Sequence, residues 1–557
     1  MAKAQGKRGG ERKKAAPTKN LTLAAPKRPA EGWRIWARGV GVGLAVAVLY
    51  AIWAGYIMLV PVVVLPLLTG VLIGLVMGDL IPAAIVGTGA AILGSILAGN
   101  IYKPATFVAT VNHAPNWMSP DIITQAFQSL FGLVTANQLN TAFAGGRFVW
   151  FVVIAAVVSA GAAVAAAYIG RSAMNSRLLQ WSVLAIACVC MLQSTYLGSA
   201  TLRQQIATQP PSGTYGYDAM FNVRTYYLMR DGMGLYPAYL YSMAKDSRYI
   251  SQNLWADGKM PKGSASLLRE PLVFAMWRVV GFRSPDAIVW FSMLCAAAVM
   301  VLGYWAFRER LGATALLIPF VLAPGMMFHA MWLNIFFPDW WAALAFMASA
   351  FALSNGWWKT SAGLGVLACL FREVFCIWLA VVALVAWVRF VRNRRELVPA
   401  ISFSVALVVS VAAYLLHVWV GDHYFVQVIN PGGSVFTALR DLSVTPLTHK
   451  TWPAIYYLMT PYLMTIVSPL VLLVLGVGGY ALVGESRFSR AALAGYIVVT
   501  LAMWFTIGAH SSYWGQDVTL FGVAGTAVLV GRGLVALMPA DMKPAEAPSL
   551  GPEAQPS

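Results

Sequence analysis

The sequence predicts an all-α fold: a polytopic transmembrane helical bundle of about fourteen spans, with interfacial helices in a large extracytoplasmic loop. Three observations carry this. Of 557 residues, 59% are hydrophobic and 11% charged, with a mean hydropathy of +0.68, whereas a soluble domain carries roughly 25% charged residues. The apolar residues come in long unbroken runs such as VLYAIWAGYIMLVPVVVLPLLTGVLIGLV, where barrel strands would alternate apolar and polar positions. Lys and Arg collect at alternate ends of those runs, as orientation in a membrane requires. Secreted, fibrous and disordered classes are excluded.

The first element is a basic arm, residues 1–38, with eleven Lys/Arg against two Glu, a net of +9 out of the chain's +18. It has little to bury and is expected to be disordered on the cytoplasmic side, touching anionic membrane lipids. Nucleic acid is not an expected partner, because no aromatic platform precedes Trp33. Nor does a short apolar core with a small-residue cleavage site follow the arm, so no cleavable signal is expected.

Residues 39–170 then read as an N-terminal four-span module, with spans near 39–58, 60–77, 80–101 and 147–169. The core, 171–538, begins with Arg171 and Arg177 in a cytoplasmic turn and a fifth span near 178–199. An outer loop over 200–284 follows. Further spans are expected near 285–307, 313–329, 339–354, 360–371, 373–391, 399–419, 461–483, 491–509 and 517–536. Arg308 and Arg310, the RFVRNRR run from Arg389 to Arg395, and Arg487 with Arg490 all then fall inside. Both termini are cytoplasmic on this count, with 539–557 a disordered tail, and the protein is expected in the plasma (inner) membrane.

Several chemistries find no support in the residues. The five cysteines, Cys188, Cys190, Cys295, Cys369 and Cys376, all lie in apolar stretches and read as packed helix residues. GVGVG and GVGG sit inside apolar spans and read as small packing residues, and no P-loop is visible. His329, His423 and His510 lack the i, i+4 spacing of a helical metal site. No metal site and no cofactor is expected from these patterns.

The outer loop holds most of the residues able to do chemistry. Within it, GYDAMFNVRTYYLMRDGMGLY reads as an amphipathic helix, with Met220, Val223, Tyr227 and Leu228 at helical spacing and Gly232 and Gly234 as stops. Such a helix would lie at the membrane interface and hold Asp218 at the water–lipid boundary. Asp218 is either a helix N-cap or a general base whose partial desolvation keeps its pKa useful. Arg224, Arg269 and Arg372 are candidates for holding a phosphate. Arg372 and Glu373 interrupt an apolar run in LFREVF, and intramembrane charge is either functional or bundle glue. Asp339, in WLNIFFPDWW, reads as the cap of the following helix or as a substrate contact. Tyr513 and Trp514, in HSSYWGQD, suit a sugar or a membrane interface equally.

Taken together, the outer-loop acid in YDAMFNVRTYYLMRDGMGLY, the Arg-x-Pro element REPLVFAMWRVVG and the later LFREVF resemble the GT-C superfamily of integral membrane glycosyltransferases over roughly residues 178–536. The resemblance implies transfer of a sugar from a polyprenyl-phosphate donor, with inversion, to a glycan, lipid or protein acceptor on the extracytoplasmic face. It implies Asp218 as catalytic base and Arg269, Arg372 and Arg224 as donor-phosphate ligands. Tyr217, Asn222, Asp231, Glu373, Asp339, Tyr513 and Trp514 are then candidate substrate contacts. Members of the superfamily can use a divalent metal, but no strong ligand set stands out here. The chain departs from the family pattern in two ways: about five spans precede Asp218, and its neighbour Ala219 is not acidic. The competing expectation is a transporter or flippase of a lipid-linked glycan, which would more naturally spread charge along several central spans.

Overall fold

In the computed structural model the described residues are 29–54, 64–101, 147–173, parts of 180–192, most of 216–238 with Ser242, 271–331, 334–421, His423, 469–483, 487–506 and 516–537. All regular structure among them is helical. In chain order the helices are α1 (Pro29–Ala54), α2 (Val64–Met77), α3 (Leu80–Ile101), α4 (Arg147–Ala173), α5 (Gly216–Arg230), α6 (Pro271–Val280), α7 (Pro285–Leu311) and α8 (Leu317–Met331). They continue as α9 (Pro338–Ser354), α10 (Trp358–Phe371), α11 (Cys376–Arg392), α12 (Leu397–Gly421), α13 (Pro469–Val483), α14 (Arg487–Thr506) and α15 (Gln516–Leu537).

Among the described residues, four segments are long and apolar enough to cross a membrane: Leu80–Leu97, Pro285–Leu311, Glu373–Arg392 and Arg394–Val420. Their outward faces carry exposed apolar side chains, for example Ile81 on α3 and Val408 and Leu416 on α12. Such a surface is unfavourable in water and suited to lipid.

One boundary differs clearly from expectation. Residues 29–38 belong to helix α1 rather than to a disordered arm. Pro29 suits a first helical turn, Ile35 packs on the core, and Arg38 is buried with Nη2 3.3 Å from Met77 O. Residues 1–28 and 539–557, the rest of the expected arm and tail, lie outside the described residues.

Helices α1 to α4 pack on one another, and small residues explain how closely. A Cβ added at Gly70 or Gly74 would sit 2.2 Å from Ser159 O or Ala163 O respectively, so α2 and α4 are in backbone contact. Ser159 Oγ donates to Gly87 O at 2.9 Å and ties α4 to α3. This group meets the rest of the bundle through α1 against α8 and α15, and through α2 against the 3-10 turn Gly312–Leu316.

At the centre of the bundle, α9 is buried along nearly its whole length. Around it gathers an aromatic cluster in which Phe346 stacks on Phe375 at 4.9 Å and meets Trp378 and Phe521 edge-on. Helix α10 returns alongside α9, through a turn that Gly356 makes with φ +76°, and Ser349 Oγ donates to Ser361 O at 2.8 Å. Helix α11 then reverses again, bringing Trp378 Nε1 to 3.1 Å from the same Ser349 Oγ. The reversal between α10 and α11 falls at Arg372, extended at φ −153° and ψ 115°, followed by the 3-10 turn Glu373–Phe375. The charges in LFREVF therefore mark the turn between the two helices expected near 360–371 and 373–391.

Candidate functional site

At one end of the bundle, four of the sequence-predicted residues come together. Pro338 opens α9, and Asp339 follows in its first turn with no exposed surface. The Asp339 side chain does not act as a backbone cap. Its Oδ1 accepts from Arg372 Nε at 2.6 Å, across from the α10–α11 turn. A charge-assisted bond of this length holds the turn against α9. Arg372 Nη1 also lies 3.6 Å from Glu373 Oε1, a longer contact to a carboxylate that is 38% exposed. Two carboxylates thus share one guanidinium. The second Asp339 oxygen, Oδ2, has no hydrogen-bond partner among the described residues and is fully buried, a position that costs free energy unless something donates to it.

The third component is α5, the helix of the segment that the sequence reads as an outer loop. It forms where the sequence predicts, over Gly216–Arg230, and stops at Gly232, whose φ of +102° favours glycine. Its buried face differs from expectation. Asn222, Val223, Thr225, Tyr226 and Met229 are buried, whereas Tyr227 and Leu228 are only partly covered. The helix therefore packs on protein, with α6 and the 3-10 turn Asn334–Phe336 as its neighbours.

Asn222 Nδ2 donates to Phe336 O at 2.8 Å, its Oδ1 is buried without a partner among the described residues, and Tyr226 OH donates to Gly281 O. Trp277 of α6 lies against Phe336 at 5.6 Å and completes the seat. Burial pushes the Tyr226 hydroxyl up to about 12 despite the opposing charge of Arg230, and raises Tyr227 as well. Phe336 is three residues before Asp339, so α5 is latched to the turn that leads into the Arg372–Asp339 pair.

Asp218 stands in the first turn of α5, four residues before Asn222. The side chains of Asp218 and Tyr217 lie outside the described residues, as do Arg269, Tyr513 and Trp514 altogether. Two other candidates are directed elsewhere. Arg224 Nη1 donates to Ser242 O at 3.3 Å, and Asp231, exposed, pairs with Arg230 at 3.1 Å at the far end of α5.

Sequence reasoning missed Tyr226, Trp277 and Phe336, which seat the helix. Aromatic and apolar positions in a chain this hydrophobic carry no mark that separates a seat from general core. No group of three or more metal-ligating side chains occurs among the described residues. No family model, curated protein or solved structure matches the chain.

Proposed function

We propose that the protein is a multi-span membrane glycosyltransferase, moving a sugar from a polyprenyl-phosphate donor to an extracytoplasmic acceptor with inversion. The observation that carries this reading is the convergence of α5, bearing Asp218 and Asn222, on the turn that enters the buried Arg372–Asp339 pair. These elements come from three distant parts of the chain and meet at one end of the bundle. The GT-C-like pattern of the sequence supplies the chemistry.

Depth favours a lipid-linked substrate. Helix α10 has 14 residues, about 21 Å at 1.5 Å per residue, against a hydrocarbon core about 30 Å thick. In an arrangement of about fourteen spans with cytoplasmic termini, the Arg372 turn would sit below the outer membrane boundary. A polyprenyl phosphate could reach it from the side, while α5 roofs it from the aqueous side.

In this reading Asp218 takes the proton of the acceptor hydroxyl as that oxygen attacks the anomeric carbon. The bond from the anomeric carbon to the phosphate oxygen breaks, and the polyprenyl phosphate leaves with its charge offset by arginine. Arg372 keeps its short bond to Asp339, and a phosphate displaces the longer contact to the half-exposed Glu373. Asp339 Oδ2 and Asn222 Oδ1 are acceptors suited to sugar hydroxyls. Buried charges among the described residues are few, Arg38, Asp339, Arg372 and Glu396, which favours an enzyme over a flippase with charge along its central spans.

The test is incubation of purified protein with polyprenyl-phosphate sugars. Transfer releases polyprenyl phosphate and forms a glycosidic bond. A flippase would move the intact lipid between leaflets with no bond cleaved.

A further inference from the structure

Four arginines gather where α11 turns into α12. Arg389 and Arg392 close α11, Arg394 and Arg395 begin the 3-10 turn that follows, and Glu396 is the one acidic residue between Val374 and Gly421. Glu396 is buried, whereas Arg392, Arg394 and Arg395 are exposed and make no ion pair among the described residues. The two flanking segments, Glu373–Arg392 and Arg394–Val420, are both long and apolar enough to cross a membrane. A turn between two crossing helices stands at a membrane surface whichever way the chain is oriented.

Hydrogen bonds fix this turn. Asn393 Oδ1 accepts from Arg395 N at 3.1 Å, Asn393 N donates to Arg389 O at 2.8 Å, and Glu396 N donates to Asn393 O at 3.0 Å. The Arg394 guanidinium lies 4.9 Å from the centre of the Phe390 ring, a cation–π contact that holds it over the end of α11. One turn further into α11, Trp387 Nε1 donates to Ser404 Oγ at 2.9 Å and ties the two helices together. Beyond the cations both helices present apolar surface. Leu384, Val388 and Val391 on α11 and Val398, Ile401 and Val405 on α12 are exposed, each set at the three- and four-residue spacing of one helical face.

We propose that the α11–α12 turn is a binding site for an anionic phospholipid, with the headgroup phosphate among Arg392, Arg394 and Arg395 and the acyl chains along these apolar faces. Guanidinium groups match phosphate oxygens with paired donors, and the acyl chains cover surface that water solvates poorly. Charge alone is enough to orient a helix in a membrane. A capped turn with a pinned arginine, set directly above two apolar faces, adds preorganisation, which lowers the cost of holding one lipid in place. A soluble phosphate meets the arginines but gains nothing from the faces below them. The site stands apart from the Arg372 turn, which lies at the other end of α11, and does not depend on the proposed transfer reaction.

The test uses purified full-length protein in mixed micelles of phosphatidylglycerol and phosphatidylethanolamine in equal amounts, with bound lipid read by native mass spectrometry. Wild type should retain phosphatidylglycerol selectively, and inorganic phosphate in large excess should not displace it. The triple variant Arg392→Gln, Arg394→Gln, Arg395→Gln should bind it about 10²-fold more weakly, at about five-fold per arginine. Lysines at the same three positions should restore most of the binding, which separates lost charge from lost folding. An equal loss of charge in the N-terminal arm, Arg12→Gln, Lys13→Gln, Lys14→Gln, should leave it unchanged. Phosphatidylglycerol carrying a photoreactive acyl chain should label the tryptic peptides 373–389 and 396–440, which hold the two faces.

Equal retention of the two lipids by wild type would overturn the proposal. So would displacement by inorganic phosphate, an equal loss in the arm variant, unchanged binding in the glutamine variant, failure of the lysine variant to recover, or labelling confined to other peptides. Absence of glycosyl transfer together with selective, arginine-dependent lipid retention would refute the function proposed above and leave the lipid site standing.

Discussion

Arg372 Nε donates to Asp339 Oδ1 across 2.6 Å and joins the α10–α11 turn to the first turn of α9, with both side chains almost wholly buried. Removing one partner of such a pair strands the other as a buried charge. Arg372→Leu should therefore lower stability by about 3–5 kcal/mol. Asp339→Asn should cost less, because the amide keeps an oxygen for Arg372. The double variant Arg372→Leu with Asp339→Leu should recover much of the loss. Thermal unfolding in one detergent, read as a double-mutant cycle, measures the coupling.

The Asn222 amide ties helix α5 to the turn that enters α9. Asn222→Ala removes the donor to Phe336 O and should cost about 1–3 kcal/mol. The loss should be local. Hydrogen exchange should rise across 216–230 and in the 334–336 turn, while α13 and α15 stay protected.

Glycines in α13 differ sharply in what surrounds them. A Cβ at Gly479 would lie 1.8 Å from Gly525 O, backbone that cannot yield without α13 and α15 parting, whereas a Cβ at Gly478 meets nothing within 4 Å. Gly479→Ala should lower stability markedly, by about 1–3 kcal/mol or more, and with it the midpoint of thermal unfolding. Gly478→Ala should be neutral or slightly stabilising, since alanine is the better helix former by about 1 kcal/mol. Paired melts of the two variants decide it.

The Tyr226 hydroxyl, pushed up to about 12 by burial, favours the folded protein only while it is protonated. The stabilisation is complete below the unfolded value near 10. It is lost as pH rises toward about 12, because the unfolded chain gives up this proton first. Seating of α5 should therefore be flat with pH through neutrality. A tyrosinate absorbance titration of wild type minus Tyr226→Phe should show one late-ionising tyrosine. If the difference curve is that of a free tyrosine, the buried seat is wrong.

Much of the fold was legible because apolar runs bounded by Pro and Arg leave few choices. Residues 80–101, expected as a span, form a helix with those bounds, and the span near 285–307 appears as Pro285–Leu311. The span near 399–419 appears as Leu397–Gly421. The start of α1 was misread, because a basic stretch looks like a solvated arm unless its partner is known, and Arg38 finds one in Met77 O, 39 residues away. In the site, Arg372, Glu373, Asp339 and Asn222 were marked by being polar among apolar residues. That Arg372 pairs with Asp339 was hidden, since the spans expected at 339–354, 360–371 and 373–391 bring the two to one end, but which side chains meet there depends on how the helices are rotated and packed, which hydropathy does not encode. The face by which α5 docks was hidden for the same reason: Tyr226 and Tyr227 are chemically alike, and only the position of Gly281 and Phe336 selects between them.

The central claim is that the helix seated beside the Arg372–Asp339 pair presents a catalytic base, Asp218, to a lipid-linked sugar. The most direct measurement is single-turnover transfer from a polyprenyl-phosphate sugar, comparing purified wild type with Asp218→Asn at equal helical content and equal exchange protection of α5. The account predicts that wild type releases polyprenyl phosphate and that Asp218→Asn is slowed by about 10²–10⁴-fold, with donor binding retained. Full transfer by correctly folded Asp218→Asn would contradict it.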